Sequence, residues 1–299
     1  MKSIGALRFW KRKDPEFQHK SPNRSMAGNI AIFIFLLVCS AFTALPLVYS
    51  VSTAFRPLDE LWLFPPKLVI VHNPTLKNFS DLFVLMSNSW VPFSRYLFNT
   101  IFITVVGTAG HIIFSSMCAY PLAKKIFPGR QIFSQAIVLA LMFNASVTAI
   151  PNYLTMARFG WIDTYMALIV PAIGSTLGLY LMMQFIGQLP DSILEAATTD
   201  GARDWTIFWR VIMPQVKPAW LTIMIFSVQS LWNMGASNYV YSEQLKTLPA
   251  ALAQIVTGGI ARAGVGAAVT VIIMVVPITL FVLTQSNIIQ TMTNSGIKE

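Results

Sequence analysis

The sequence contains few charged residues for its length. Lysine, arginine, aspartate and glutamate make up 11% of its 299 residues, whereas hydrophobic residues make up 55%. Soluble domains carry about 25% charged residues, so this composition excludes a water-soluble globular protein. It also excludes a disordered or fibrous chain, because long polar tracts and a strict glycine repeat are both missing from the sequence.

Cysteines and the common catalytic motifs are also scarce. The two cysteines, Cys39 and Cys118, both lie within apolar segments, which argues against a disulfide framework or a metal cluster. The sequence contains no GxxxxGK(S/T) phosphate-binding loop, no HExxH or GxSxG motif and no paired carboxylates. We therefore expect this chain to have no ATPase or hydrolase activity, no catalytic or metal-binding residue and no bound cofactor.

Long apolar segments account for most of the chain. At about 1.5 Å per helical residue, each is long enough to cross a hydrocarbon core of about 30 Å. We predict an all-α integral membrane protein with one transmembrane domain at 29–289, between a basic tail at 1–28, retained rather than cleaved, and a C-terminal tail at 290–299. The six predicted spans are 29–55, 96–122, 132–156, 165–187, 219–241 and 265–288.

The basic residues indicate the orientation of these spans. An even number of spans puts both termini on one side, and fourteen of the 21 lysines and arginines lie on that side, seven of them before the first span. Basic residues accumulate on the cytoplasmic side of membrane proteins. We therefore predict a multi-pass protein of the cell membrane with both termini in the cytoplasm. This topology signal explains the excess of basic residues behind the net charge of +9, so no nucleic-acid partner is expected.

The predicted spans contain no Asp, Glu, Lys or Arg in their cores. Ion-coupled carriers usually keep an ionisable residue near the middle of the membrane, and here only His111 is available. A lone histidine is more typical of a packed, hydrogen-bonded residue, since a proton relay needs a partner and none is evident. If the protein moves a solute against its gradient, the energy comes from a source other than an ion gradient. An ion-coupled secondary transporter is the less favoured alternative.

The segment 189–218, between the fourth and fifth spans, reads LPDSILEAATTDGARDWTIFWRVIMPQVKP. Ser192 and Glu195 form a capping box that predicts the start of a short helix. Gly201 predicts its end, because glycine readily adopts the positive φ that terminates helices. A second helix is predicted from near Ala202 to Pro214, with one amphipathic stripe formed by Trp205, Phe208, Trp209 and Ile212.

The 189–218 segment also carries a specific pattern: Glu195-Ala196-Ala197, three residues, Gly201, nine residues, then Val211-x-Met213-Pro214. This resembles the E-A-A-x3-G-x9-I-x-L-P loop that identifies the membrane subunits of ATP-binding-cassette importers. In that family the loop is a coupling helix, which docks into a groove on a separate ATPase subunit. The resemblance implies this role for Glu195, Ala196, Ala197, Asp200, Gly201 and Pro214. A loop that only rests against the bilayer is the alternative.

The resemblance extends over nearly the whole chain to the MalG-like, carbohydrate-transporting branch of the type I importers. Features at 73–79, 159–164 and 295–298 fit that branch. The resemblance implies the MetI-like permease fold, a second, MalF-like permease subunit, two ATPase subunits that hold ATP and magnesium, and an extracellular or periplasmic binding protein. The implied function is import of a sugar or oligosaccharide by alternating access, with import of another solute as the alternative.

A sugar path through the spans needs polar and aromatic side chains, because sugars are recognised by hydrogen bonds and ring stacking. Polar residues within spans also bridge neighbouring helices, and that alternative applies to every candidate. The outer segment 56–95 is either a surface for the binding protein or an ordinary solvated loop. The path candidates are Asn144, Asn152 and Tyr153 in the third span and Gln229, Trp232, Asn233, Asn238 and Tyr239 in the fifth.

Overall fold

The computed structural model describes residues 26–61, 71–87, 90–256 and 262–295, and every regular element within these ranges is helical. A one-turn helix at Leu58–Leu61 and a 3-10 turn at Glu243–Leu245 supplement the longer helices. Of the predicted tails, residues 1–25 and 296–299 lie outside the described residues. Residues 26–28 and 290–295 belong to the first and last helices, and the last helix thus continues past the predicted end of the sixth span at 288. The longer helices are α1 (Met26–Ala54), α2 (Lys77–Ser87), α3 (Phe93–Lys124), α4 (Arg130–Leu141), α5 (Ala145–Arg158), α6 (Met166–Ile173), α7 (Thr176–Gly187), α8 (Asp191–Thr199), α9 (Asp204–Gln215), α10 (Lys217–Trp232), α11 (Leu248–Val256) and α12 (Ala263–Ser295).

Four helical stretches in the described part of the chain are long and apolar enough to cross a membrane: Met26–Ala54, Phe93–Lys124, Met166–Gly187 and Ala263–Gln285. Two bent pairs, α4 with α5 and α9 with α10, raise this number to six if each pair is counted as one span. The chain is thus all-helical over the described residues, with four to six candidate spans.

The predicted third span, 132–156, is not one continuous helix. The helix α4 ends at Leu141, and the directions of α4 and α5 differ by 114°. Asn144 lies at this break, where its side-chain oxygen accepts a hydrogen bond from Ser146 N at 2.9 Å and caps α5. Asparagine satisfies the free N–H groups at a helix start, so it favours a new helix there over continuation of the old one.

The helix in the region of the predicted fifth span, 219–241, ends before that range does. The helix α10 ends at Trp232, and the 233–247 loop that follows contains only the Glu243–Leu245 turn. Asn233, Gly235 and Asn238 lie in this loop, and these residue types favour turns over helix. Two of the predicted path residues, Asn233 and Asn238, therefore lie beyond the helix.

The helix α3 is packed between α6, α7 and α10. Close approach is possible because small residues face bulky ones: Gly107 lies against Leu231 of α10, and Gly110 lies against Ile173 of α6. One buried apolar cluster joins the Lys124 end of α3 to α7, α9 and α10. A second cluster joins the Phe93 end of α3 to α2, α11 and α12. The helix α3 thus connects the packing at the two ends of the molecule.

The apolar surface of α1 is exposed rather than packed. Every side chain from Ile30 to Val38 is exposed, including Phe33 and Phe35. Residues 30–38 of this helix include no polar or charged side chain, as lipid surroundings require.

Candidate coupling segment and transport path

The first helix of the 189–218 segment ends as the sequence predicts. Ala202 N donates to Ala197 O and Gly201 N donates to Thr198 O, both at 3.0 Å, which is the Schellman pattern of helix termination. Gly201 has φ +80°, a conformation that costs glycine little. The chain therefore leaves α8 at a defined angle immediately after Thr199.

The start of that helix differs from the prediction. The helix α8 begins at Asp191, so Ser192 lies inside it, and Pro190 is the N-cap residue with no side-chain cap. The predicted capping box of Ser192 and Glu195 is wrong for this reason. Proline fixes φ near the helical value, and Asp191 places a carboxylate in the first turn, where the helix dipole favours negative charge.

The second helix, α9, runs from Asp204 to Gln215 and contains a π-helical stretch at Ile207–Ile212. Met213 N donates to Phe208 O, five residues earlier, and Pro214 lies inside the helix instead of ending it. The wider turn splits the predicted stripe into two pairs. Phe208 and Ile212 are buried, whereas Trp205 and Trp209 are 62% and 38% exposed.

Most of the residues assigned to docking lie on α8 or in the turn that follows it. Glu195, Ala196, Asp200 and Gly201 are exposed, and Ala197 is half-buried. Pro214 is exposed on α9. A groove of about 560 Å³ lies between α8 and the end of α3, lined by Tyr120, Lys124, Lys125, Asp191, Leu194, Glu195, Thr198, Thr199 and Ile207.

Two ion pairs join this segment to α3. Lys124 Nζ lies 2.7 Å from Asp191 Oδ1, and Lys125 Nζ lies 2.6 Å from Asp204 Oδ1. The hydrogen bond between Lys125 and Asp204 raises the pKa of Lys125 and lowers the pKa of Asp204, so both groups are charged at neutral pH. Sequence reasoning missed both pairs, since the partners are 67 and 79 residues apart.

The transport-path candidates separate into two groups. Tyr153 and Tyr239 stack with ring centroids 6.2 Å apart, and the Tyr153 hydroxyl lies 3.2 Å from the Tyr241 hydroxyl, so three tyrosines meet. In contrast, Trp232 is buried, and its Nε1 donates to Ile273 O at 2.8 Å, so it bridges α10 and α12. Asn152 and Gln229 are exposed.

Several side chains hold the 233–247 loop, which carries Tyr239 and Tyr241, and Asp163 and Asn99 are two of them. Asp163 accepts hydrogen bonds from Tyr241 N at 2.9 Å, from Ser242 N at 2.8 Å and from the Ser242 hydroxyl. The bonds from Ser242 lower the pKa of the Asp163 carboxyl. Asn99 of α3 is fully buried and donates to Gln244 O at 2.8 Å and to Lys246 O at 2.9 Å.

His111 is a packed residue with two partners. The Ser175 carbonyl can only accept, so His111 Nε2 donates to it at 3.2 Å, and Nδ1 accepts from the Ser227 hydroxyl at 2.7 Å. These bonds join α3 to α10 and to the break between α6 and α7. A cavity of about 180 Å³ beside the ring is lined by His111, Ala172, Ser175, Leu177, Gly178, Leu181, Ile223, Phe226, Ser227, Ser230 and Leu231.

The sequence and this architecture together agree with one family. Residues 26–294 match the sequence model of the family described as "binding-protein-dependent transport system inner membrane component". The chain belongs to this family. It is therefore a membrane-embedded permease subunit of a transport system and not itself an enzyme, and the resemblance stated from the 189–218 segment is confirmed.

Individual relatives of this permease agree with the family. "Protein LplC" of Bacillus subtilis (strain 168) is 32% identical over 210 residues, which cover 69% of this chain and 67% of that protein. "Arabinooligosaccharides transport system permease protein AraQ" of Halalkalibacterium halodurans is 27% identical over 275 residues, which cover 89% of this chain and 94% of that protein.

A solved structure supports the same fold for the permease. A chain of a bacterial ABC transporter involved in the import of the acidic polysaccharide alginate superposes with a TM-score of 0.75. The match covers 89% of this chain and 99% of that chain at 23% sequence identity. At this identity the similarity establishes the permease fold.

Proposed function

We propose that this chain is the permease subunit of an importer that moves a sugar or oligosaccharide across the cell membrane by alternating access. ATP is hydrolysed in a separate ATPase subunit, which holds the ATP and magnesium. The observation that carries the proposal is the 189–218 segment: two short helices, joined at Gly201 with φ +80°, that present exposed residues at one end of the helix bundle.

The exposed end of α8 suits docking against an ATPase subunit. Ala196 is small and exposed beside Glu195, so a partner surface can approach the α8 backbone closely while the carboxylate meets a basic residue. Trp205 and Trp209 offer large exposed aromatic surfaces nearby, and aromatic residues are enriched in protein interfaces. Two ATPase subunits, a MalF-like second permease subunit and an outer binding protein complete the proposed assembly.

Six spans with both termini in the cytoplasm are part of this proposal. The loops that charge counting places in the cytoplasm meet at the Lys124 end of α3, where Lys124 and Lys125 bind Asp191 and Asp204. The loops placed outside meet at the other end, where Arg95 Nε donates to Gln244 O at 3.3 Å. This segregation supports an arrangement in which α4 with α5, and α9 with α10, each count as one span.

The three tyrosines are the strongest candidates for contact with the sugar. Tyr153, Tyr239 and Tyr241 combine ring faces with hydroxyl groups, which suit the apolar faces and hydroxyls of a pyranose. Asn152, Gln229, Asn233 and Asn238 are exposed and available for further hydrogen bonds. Asn144 and Trp232 are occupied in capping α5 and in bridging α10 to α12, so we assign them structural roles.

The choice of a sugar is supported by the relative named for arabinooligosaccharides, which matches 89% of this chain. The test is uptake of labelled oligosaccharides into proteoliposomes that contain the permease pair, the ATPase subunits and ATP, with the binding protein outside. We expect uptake that requires ATP and the binding protein and survives collapse of proton and sodium gradients. Gradient-driven uptake without ATP would favour an ion-coupled carrier, and ATP-driven uptake of another solute alone would favour a non-sugar permease.

A further inference from the structure

Two adjacent lysines at one end of α3 bind the two helices of the 189–218 segment. Lys124 pairs with Asp191, the first residue of α8, and Lys125 pairs with Asp204, the first residue of α9. Each carboxylate also lies at a helix N-terminus, where negative charge is favoured. Lys124 is the last residue of α3, whereas Lys125 is its C-cap with an extended backbone (φ −101°, ψ 147°), and the two side chains bind two separate helices.

Lys124 binds three acceptors at once. Its Nζ lies 2.7 Å from Asp191 Oδ1, 2.5 Å from Leu189 O and 3.3 Å from Gly187 O, the last residue of α7. An ammonium group has three donors, so each N–H has a partner. The side chain of Lys124 is only 7% exposed, although that of Asp191 is 74% exposed. One buried lysine thus joins α3, α7 and α8.

Lys125 acts together with Tyr120 on α9. The Tyr120 hydroxyl donates to Asp204 Oδ1 at 3.3 Å, and the Tyr120 ring lies 6.0 Å from the Phe208 ring. Phe208 and Ile212 are buried in the cluster that joins α9 to α3 and α7. The helix α9 is therefore attached to α3 by apolar packing as well as by an ion pair.

The helix α8 has a weaker attachment of its own. It contains no buried residue, and only Leu194 and Ala197 pack against the apolar cluster, both partly buried. The position of α8, which carries the exposed Glu195, therefore depends strongly on Lys124. We expect substitution of Lys124 to have a larger effect than substitution of Lys125.

The opposite end of α3 binds the 233–247 loop. Asn99 Nδ2 donates to Gln244 O and Lys246 O, and the Tyr165 hydroxyl donates to Asn99 Oδ1 at 2.7 Å. That loop carries Tyr239 and Tyr241 of the tyrosine cluster. A single helix without a break, Phe93–Lys124, thus joins the 189–218 segment to the proposed sugar-binding end.

We propose that Lys124 and Lys125 are positioning residues that fix both helices of the 189–218 segment to α3. A displacement of the segment by the ATPase subunit then moves α3 and, through Asn99, the 233–247 loop. This rests on the proposed function, since it requires an ATPase subunit that docks on the segment. The competing explanation is that the lysines only stabilise local helix ends.

The first test is charge exchange in the complete reconstituted transporter. The variants are K125E, D204K and the double variant K125E/D204K, with R158E as the matched control, because Arg158 is an exposed basic residue outside the 189–218 segment for which the described residues supply no ion pair. The readouts are the amount of ATPase subunit that co-purifies and the oligosaccharide transported per ATP hydrolysed.

We expect K125E and D204K to retain the ATPase subunit but to lower transport per ATP about fivefold, the scale of one exposed ion pair. The double variant restores most of the loss, and R158E matches the unmodified chain. The substitution Lys124→Met removes all three donors and lowers transport per ATP further. The proposal is overturned if the single variants behave as R158E does, if the double variant gives no recovery, or if the single variants release the ATPase subunit.

A second test does not depend on the folding of charge variants. In a chain with Cys39→Ser and Cys118→Ser, the pair Lys125→Cys and Asp204→Cys is joined by a short thiol crosslinker. If α3 and α9 move together, the crosslinked transporter retains at least half of its transport per ATP. Loss of transport on crosslinking, with recovery when the link is cleaved, would show that these helices must separate and would overturn the proposal.

Failure of this proposal is distinguishable from failure of the proposed function. The Gly201→Asp variant tests the docking role without touching either lysine. If Gly201→Asp releases the ATPase subunit while the lysine variants transport normally, only the positioning role fails. If Gly201→Asp retains full transport, the assigned docking role of the segment fails.

Discussion

Two glycines that form one small-xxx-small motif in the sequence have different roles in the structure. Gly174 and Gly178 both read as residues that let helices approach closely. A Cβ on Gly178 would lie 2.1 Å from His111 Nε2, so this glycine makes the contact with α3. A Cβ on Gly174 would meet only carbonyl oxygens of its own helix, and Gly174 is the C-cap of α6. Gly178 thus provides a packing contact between helices, whereas Gly174 ends a helix.

Gly178→Ala is expected to destabilise the permease. The added methyl group overlaps the His111 ring, and overpacking of this kind costs about 1–3 kcal/mol in the free energy of unfolding. Gly187→Ala is the control on the same helix, since nothing lies within 4 Å of its Cβ position. Unfolding in detergent, followed by circular dichroism, measures the difference. Equal stability of the two variants would contradict the packing described for His111.

Asn99 is a residue whose importance the sequence did not reveal. An asparagine near the start of a span signals only that some polar partner exists, and its partners Gln244 and Lys246 are 145 and 147 residues away. We expect Asn99→Leu to leave Lys246 O without its side-chain donor, at about 1–3 kcal/mol, and Gln244 O with Arg95 Nε alone. Hydrogen exchange should then accelerate at 243–248 and stay unchanged in α8, and unchanged exchange at 243–248 would contradict this assignment.

At the scale of elements, local signals predicted some helix ends and missed others. The end of α8 was predictable because glycine at Gly201 is itself the cause of termination. The break at Asn144 was missed because hydropathy measures burial and not helix continuity, although an asparagine before a helix start is a recognisable N-cap. The π-helical stretch of α9 contains the buried Phe208 and precedes Pro214, which has no N–H to donate, and spacing alone does not reveal such a stretch.

The turn at Gly201 provides the sharpest test of the 189–218 segment. Gly201→Asp is expected to leave the permease in the membrane but to release the ATPase subunit or uncouple its hydrolysis, because a charged side chain enters the docking surface. Gly160→Asp is the matched control, since Gly160 also has positive φ, at +68°, and open space around it. Co-purification of the ATPase subunit and transport per ATP are measured in both variants.

The control separates a general cost of substituting a positive-φ glycine from an effect on docking. Aspartate is among the residues that tolerate this backbone region, so the backbone penalty is similar at both sites. If Gly160→Asp loses the ATPase subunit as well, the effect is one of folding. Undiminished transport by Gly201→Asp would remove the docking role.

At the scale of the whole molecule, the membrane class and the family were predictable, whereas the connections between distant parts were not. Charge distribution and apolar length report on the solvent around each segment, which composition encodes directly. The pairing of Lys124 with Asp191 or of His111 with Ser227 depends on how helices pack, and the residues involved are separated by 67 and 116 positions. A single sequence contains no signal for such pairs.

The topology is testable on sealed vesicles. We expect a protease site in the N-terminal tail to be cut only in inside-out vesicles, because fourteen of the 21 basic residues lie on the side of the termini. A site inserted near Asn238 in the 233–247 loop should be cut only in right-side-out vesicles. Cleavage of the N-terminal tail from the outside would reverse the predicted orientation.

The two ion pairs at the end of α3 also bear on how permeases of this family could be recombined. A graft that replaces 189–204 with the same stretch of a relative would replace the residues that pair with Lys124 and Lys125. The smallest exchangeable module is therefore discontinuous in the gene, since it includes Tyr120, Lys124 and Lys125 together with both short helices. Chimaeras that exchange only one contiguous stretch should insert fully into the membrane but fail to transport. Exchanging the codons for Tyr120, Lys124 and Lys125 as well should restore transport.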